Sequence, residues 1–136
     1  MGHTQLPESV MPTPYMNSDQ IAFFSSRLIS LKEETLNHIH DAQKDLSQRT
    51  ELNDEADLAQ HEEESRMALR IVDRETRLLR KIDTALERIR SGDYGYCLAS
   101  GEPIGIPRLL IRPTAEYCTE VKDQLEQKEK HYGKIR

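Results

Sequence analysis

The chain has 136 residues, of which 36% are hydrophobic and 32% charged, with a formal charge of −5. This is richer in charge and leaner in apolar residues than an ordinary globular domain, a balance that suits long solvated helices better than one large core. The negative balance argues against nonspecific binding of duplex DNA, which relies on Lys and Arg neutralising phosphates, and leaves room only for a local basic patch.

No apolar run approaches the roughly 20 residues of a transmembrane helix. The opening MGHTQLPESVMPTP has no basic region followed by an apolar stretch, so no secretory signal is read there. Two cysteines, Cys97 and Cys118, do not make a secreted disulfide framework. A cytoplasmic protein without a membrane partner is expected.

Residues 1–17, with Pro7, Pro12 and Pro14, read as an extended or flexible leader whose docking points are Tyr15 and Met16. Asn17 or Ser18 then offers a helix N-cap, followed by Asp19 in the favourable first turn. From there Ile21, Phe24, Leu28, Leu31, Thr35, Ile39, Ala42 and Leu46 recur in steps of three and four, which predicts an amphipathic helix to about residue 47. The following segment has almost no large apolar residue, and Asn53-Asp54 supplies a turn signal. Helical spacing resumes through Leu58, Ser65, Leu69, Val72, Thr76, Leu79, Ile82, Leu86 and Ile89, and stops at Ser91-Gly92. Two such seams joined by a polar turn, over 18–91, predict a long antiparallel coiled-coil hairpin with an acidic tip at about 48–60. At about 1.5 Å per residue, each arm would run roughly 40–50 Å. One pair within a helical bundle is the alternative, weakened by narrow stripes and the lack of a third long helix.

Residues 92–113 hold four of the six Gly and three of the six Pro and read as a small knot of turns with room for one tiny hairpin. Residues 114–132 are helix-friendly, and 114–136 forms a last helix and tail. The fold class is mainly α: the hairpin, a small degenerate zinc-ribbon-like globule and a C-terminal helix.

Three constellations could carry chemistry. Between Glu51 and Arg66 stand seven acidic residues and one basic one, including Asp54, Asp57 and, beside them, Ala59. They form either a solvated hairpin end or a carboxylate probe for a cation or basic groove, and carboxylates suit Mg²⁺. Arg70, Arg74, Arg77 and Lys81 are spaced to share one helical face. That face is either solvated and ion-paired or a stripe for an acidic or phosphate-bearing partner. Cys97, Ser100, Cys118 and Val121 sit where a zinc ribbon would carry four cysteines. Ser is a poor zinc ligand and Val is none, and His131 is too far along its helix to substitute. No tightly bound metal is expected, and apolar packing of Val121, Cys97, Cys118, Ile104, Ile106 and Leu110 would fill the interior. A Cys97–Cys118 disulfide is conceivable but conditional in a reducing cytosol. No nucleophile–base pair, phosphate loop or metal-hydrolase motif points to an enzyme. His38, His40 and His61 read as surface residues.

Taken together, DEADLA (54–59), QHEEE (60–64), DRETRLLRKIDTALERI (73–89), DYGYC (93–97), GEPIGIPRLLIRPTAEYC (101–118) and Lys122 resemble the DksA family of RNA polymerase secondary-channel factors. The resemblance covers residues 15 to about 130 and is most specific in the GYC…IG…RL…RPTA…C series. It implies that Asp54, Asp57 and Ala59 correspond to the D-x-x-D-x-A tip inserted toward the polymerase active site. It implies that Lys81, Arg112 and Lys122 help bind the alarmone ppGpp between factor and polymerase, as co-regulator. The missing cysteines make the chain similar to two-cysteine members that work without zinc, with a backup role in zinc starvation. A monomer that regulates initiation on bacterial RNA polymerase, with no sequence-specific DNA contact of its own, follows from the likeness. The competing readings are a Gre-like transcript-cleavage factor, a Cys97/Cys118 redox sensor and a plain oligomerisation coil.

Overall fold

The structure, a computed structural model, describes residues 14–51 and 58–135. The leader up to residue 13, the Asn53-Asp54 turn signal and the tip residues Asp54 and Asp57 therefore lie outside the described residues. Four helices follow one another: α1 (Ser18–Glu51), α2 (Leu58–Ser91), α3 (Ile106–Ile111) and α4 (Thr119–Ile135). No strand occurs among the described residues; one antiparallel bridge, Tyr96 to Pro103, takes the place of the expected tiny hairpin.

Helix α1 begins with a reciprocal cap. The Gln20 N–H donates to Asn17 Oδ1 at 2.9 Å and the Asn17 N–H donates to Gln20 Oε1 at 3.2 Å. Each side chain thereby satisfies a backbone donor that the first helical turn leaves without an intrahelical acceptor. Asn17, not Ser18, is the cap. At the far end of α2, the Asp93 N–H reaches Arg88 O at 2.9 Å and the Gly92 N–H reaches Ile89 O at 3.3 Å. Gly92 has φ 86°, so this is a Schellman ending that needs the residue without a Cβ.

The chain forms two compact units, with α1 and α2 each contributing to both. The Leu28–Thr84 unit is an antiparallel helix pair, because Lys32 bridges Asp83 at 2.8 Å while the later His38 meets the earlier Glu75 at 2.9 Å. Leu28 and Ile82 are wholly buried here, and each contributes about 1.5–3 kcal/mol of hydrophobic stabilisation. The α1 seam follows the expected positions, with Leu28, Thr35 and Ala42 buried. Buried Thr35 satisfies its hydroxyl by donating to Leu31 O at 2.7 Å.

The α2 seam departs from expectation. Leu58 and Leu69 are more than half exposed, whereas Ala68, Glu75 and Ile82, spaced by sevens, are buried. The inward face is thus rotated from the one that the leucines suggest. Glu75 is tolerated in it because the Nδ1–H of His38 donates to its Oε1. His38 is exposed as read, yet it is the cover of a seam carboxylate.

The other unit joins the start of α1 to everything from Ala85 onward. Phe24 packs 5.8 Å from the Tyr94 ring, and Leu109, Ala85, Ile104, Cys97 and Ala115 complete the interior. Helix α3 was not anticipated within 92–113, and it buries Leu109 while Leu110 and Ile106 remain partly accessible. The last helix also starts at Thr119, after a turn that buries Thr114 and Ala115.

Candidate functional site

Tyr15 ties the chain preceding α1 to the turns around α3. Its hydroxyl donates to Gly95 O at 2.7 Å and accepts from the Gly105 N–H at 3.0 Å. Its ring meets Tyr96 edge-on at 5.5 Å. A Cβ at Gly95 would come within 2.9 Å of Met16 Cγ, so the close approach of residues 15 and 16 requires glycine there. Gly105 caps α3 at φ 104°, and Pro107 follows at the first turn, where its missing N–H costs nothing.

This pinned α3 presents Arg108 and Arg112, four residues apart, toward the first turns of α4. Together they line an open groove of about 600 Å³, with Thr119 and Lys122 on the α4 side. Arg108 is oriented by donating from Nε to Tyr117 O at 2.9 Å. Ile104, Pro107 and Ile111 give the groove apolar surface, Ile111 being 85% exposed. Asp123 and Glu126 also line it, so three cations meet two carboxylates. A polyanion with further hydrogen-bonding edges suits this mixture, because guanidinium forks bind phosphate bidentately.

Of the residues singled out from sequence, Arg112 and Lys122 are brought into one groove. Lys81 is exposed on α2, in the helix-pair unit. Arg108 was missed, although its four-residue spacing from Arg112 was available as a signal. Arg70, Arg74 and Arg77 are exposed on α2, and Arg77 pairs with Asp73 at 3.1 Å. Ala59 is exposed in the first turn of α2.

Of the four zinc-ribbon positions, Cys97 and Ser100 belong to the turns after α2, Cys118 immediately precedes α4 and Val121 lies in its first turn. The Cys97 N–H donates to Glu102 O at 2.8 Å, and the Leu98 N–H donates to Glu116 O at 2.9 Å. Both thiols are free; Cys97 is buried and Cys118 partly so. Burial alone would raise the Cys97 thiol. Hydrogen bonds from the Ser100 hydroxyl and from the N–H groups of Cys118, Ser100 and Ala99 outweigh it and bring the thiol down to about 6.

Known proteins match along most of the chain. Residues 20–89 fit the family described as DnaK suppressor protein DksA, N-terminal domain. Residues 92–127 fit the prokaryotic dksA/traR C4-type zinc finger. The RNA polymerase-binding transcription factor DksA of Caulobacter vibrioides is 41% identical over 118 residues, covering 86% of this chain and 83% of that protein. Its Escherichia coli counterpart is 37% identical over 123 residues, covering 85% and 78%. The solved structure of transcription factor DksA2 from Pseudomonas aeruginosa aligns with a TM-score of 0.81 at 43% identity, over 92% of this chain and 94% of that one.

The zinc that a C4-type finger implies does not fit these donors. Two of the four sulfurs are replaced, by the exposed hydroxyl of Ser100 and the aliphatic Val121. Among the described residues, no group of three or more His, Cys, Asp or Glu side chains is arranged to hold a metal ion. A closed structural zinc site requires four such donors.

Proposed function

The chain belongs to the DksA family, and from that premise we propose that it regulates transcription by binding bacterial RNA polymerase through the secondary channel, with ppGpp as co-regulator. The observation that carries the ppGpp half is the convergence of Arg108, Arg112 and Lys122 on one groove. By family likeness Lys81 is a further ppGpp contact in this reading. The tip residues Asp54, Asp57 and Ala59 would meet elements around the catalytic centre, and Arg70, Arg74 and Arg77 would face the polymerase. The protein acts by binding, without chemistry of its own. It shifts promoter complexes only to the extent that it binds one polymerase state more tightly than another. Open complexes at rRNA-type promoters are the ones it would destabilise, while others are assisted. With half the zinc donors gone, folding and activity would be independent of zinc, in a monomer of the cytoplasm.

Transcription in vitro from an rRNA promoter, with and without ppGpp and with and without chelator, tests this reading. The expected result is inhibition that deepens with ppGpp, is indifferent to chelator and loses its ppGpp response in Arg112→Ala and Lys122→Ala. Asp57→Asn should abolish inhibition yet leave polymerase binding largely intact. Stimulated cleavage of RNA in backtracked complexes, in place of inhibition, would identify a Gre-like factor instead.

A further inference from the structure

The α3–α4 groove holds more than a phosphate requires. Arg108 and Arg112 on α3 and Lys122 on α4 supply its cations, yet Asp123 and Glu126 share the α4 wall with Lys122. Thr119, Lys122, Asp123 and Glu126 fall on one face of α4, since steps of three and four return to the same side of a helix. Both carboxylates are exposed, and among the described residues neither is engaged in an ion pair or a side-chain hydrogen bond. A site for phosphate alone gains nothing from them, because an ionised carboxylate repels phosphate and has no hydrogen to donate to it. On the α3 side, Pro107 and Ile111 stand one helical turn apart, both exposed, and add an apolar surface to the same groove.

We infer that the groove reads the base of its nucleotide as well as the phosphates: guanine lies on the Pro107–Ile111 surface and donates from N1–H and its 2-amino group to Asp123 and Glu126. The inference rests on the ppGpp reading above and adds to it the source of selectivity for guanine. An ionised carboxylate only accepts hydrogen bonds, and guanine presents two adjacent donors on its Watson–Crick edge. Adenine has an unprotonated N1 and no 2-amino group there, so a carboxylate would face a lone pair. A site built on hydrogen bonds rejects an analogue that lacks them more strongly than an apolar surface does. Ile111 and Pro107 are indifferent to which purine covers them. Affinity and selectivity thus come from different walls of one groove.

The nucleotide response of RNA polymerase bound by the full chain tests this, with ppGpp and its adenine counterpart ppApp as probes and polymerase alone as the baseline. The parent should respond to ppGpp at a concentration about tenfold lower than to ppApp, the ratio expected from one charge-assisted hydrogen bond. Asp123→Asn/Glu126→Gln should bring the two concentrations within about threefold, weakening ppGpp and strengthening ppApp. The amides no longer repel phosphate, and they can donate to adenine N1. Both positions are exposed, so the thermal melt should be unchanged. Glu120→Gln, the same charge loss at an exposed position of α4 outside the groove, should keep the parent's ratio. Ile111→Ala should weaken both nucleotides and also keep the ratio. If the parent responds to ppGpp without preferring it to ppApp, or if the double variant keeps the parent's ratio, the base assignment is wrong and the ppGpp reading stands. If the parent responds to neither nucleotide, both fail together.

Discussion

The Tyr94 hydroxyl donates to the carbonyl oxygen of Pro113 at 2.8 Å, a buried bond between turns 19 residues apart. It fastens the end of α2 to the segment between α3 and α4, and so holds the α3–α4 groove in shape from behind. Tyr94→Phe keeps the ring against Phe24 but strands the Pro113 carbonyl without its donor. The expected cost is about 1–3 kcal/mol, read as a lower urea midpoint at unchanged slope. On the proposed ppGpp reading, the variant should also lose ppGpp response at temperatures where it is fully folded.

Both anchoring phenols should make the protein sensitive to alkali. Burial raises Tyr15 above its ordinary value of 10.0, and burial likewise raises Tyr94 further. In the unfolded chain these phenols ionise near pH 10. Because their folded values are raised, the stability they confer is complete below pH 10 and is lost as pH climbs beyond it. Melting temperature should therefore fall above about pH 9.5. Tyr94→Phe should blunt the fall.

Glu75 offers a test of the helix pair. The partner that offsets the desolvation of this seam carboxylate, among the described residues, is His38, which is itself exposed. His38→Ala should destabilise by about 1 kcal/mol, by removing that hydrogen bond. Glu75→Leu should leave stability unchanged or raise it by about 1–2 kcal/mol, since a packed apolar residue replaces a buried charge. Urea unfolding near pH 7 distinguishes the two, and a marked loss in Glu75→Leu would mean that the carboxylate stabilises the pair.

The zinc question has a constructive test. The parent should show superimposable melts before and after chelator treatment. Ser100→Cys/Val121→Cys supplies the two missing sulfurs and should retain about one zinc per chain through dialysis, with a melt that chelator then lowers. Stoichiometric zinc on the parent would contradict the donor argument.

The long helices were legible because their apolar residues recur over many turns and their ends carry caps, as at Asn17 and Gly92. Helix α3 was not, because six residues beginning Ile106-Pro107 are too few to display a period. The rotation of the α2 seam was hidden for a different reason. Counting leucines favours Leu69, while the true inward positions are held by Ala68 and by Glu75, which no apolar count registers. At the groove, Arg112 and Lys122 were found through family likeness, whereas Arg108 depends on a helix that was not foreseen. The acidic tip, which charge alone left open between a solvated hairpin end and a carboxylate probe, has its outermost residues outside the described part of the chain.

The sparse seam around Ala42 and Ala68 also bears on how the helix pair breathes. Leu28 and Ile82 bury large side chains at one end of the unit, but toward residues 42–68 the buried groups among the described residues are alanines. Local opening should thus become easier along the pair, giving amide hydrogen exchange that is faster around Ala42 and Ala68 than around Leu28 and Ile82. A pair that gives way first at its small-residue end can yield there without unfolding the end that holds its large side chains.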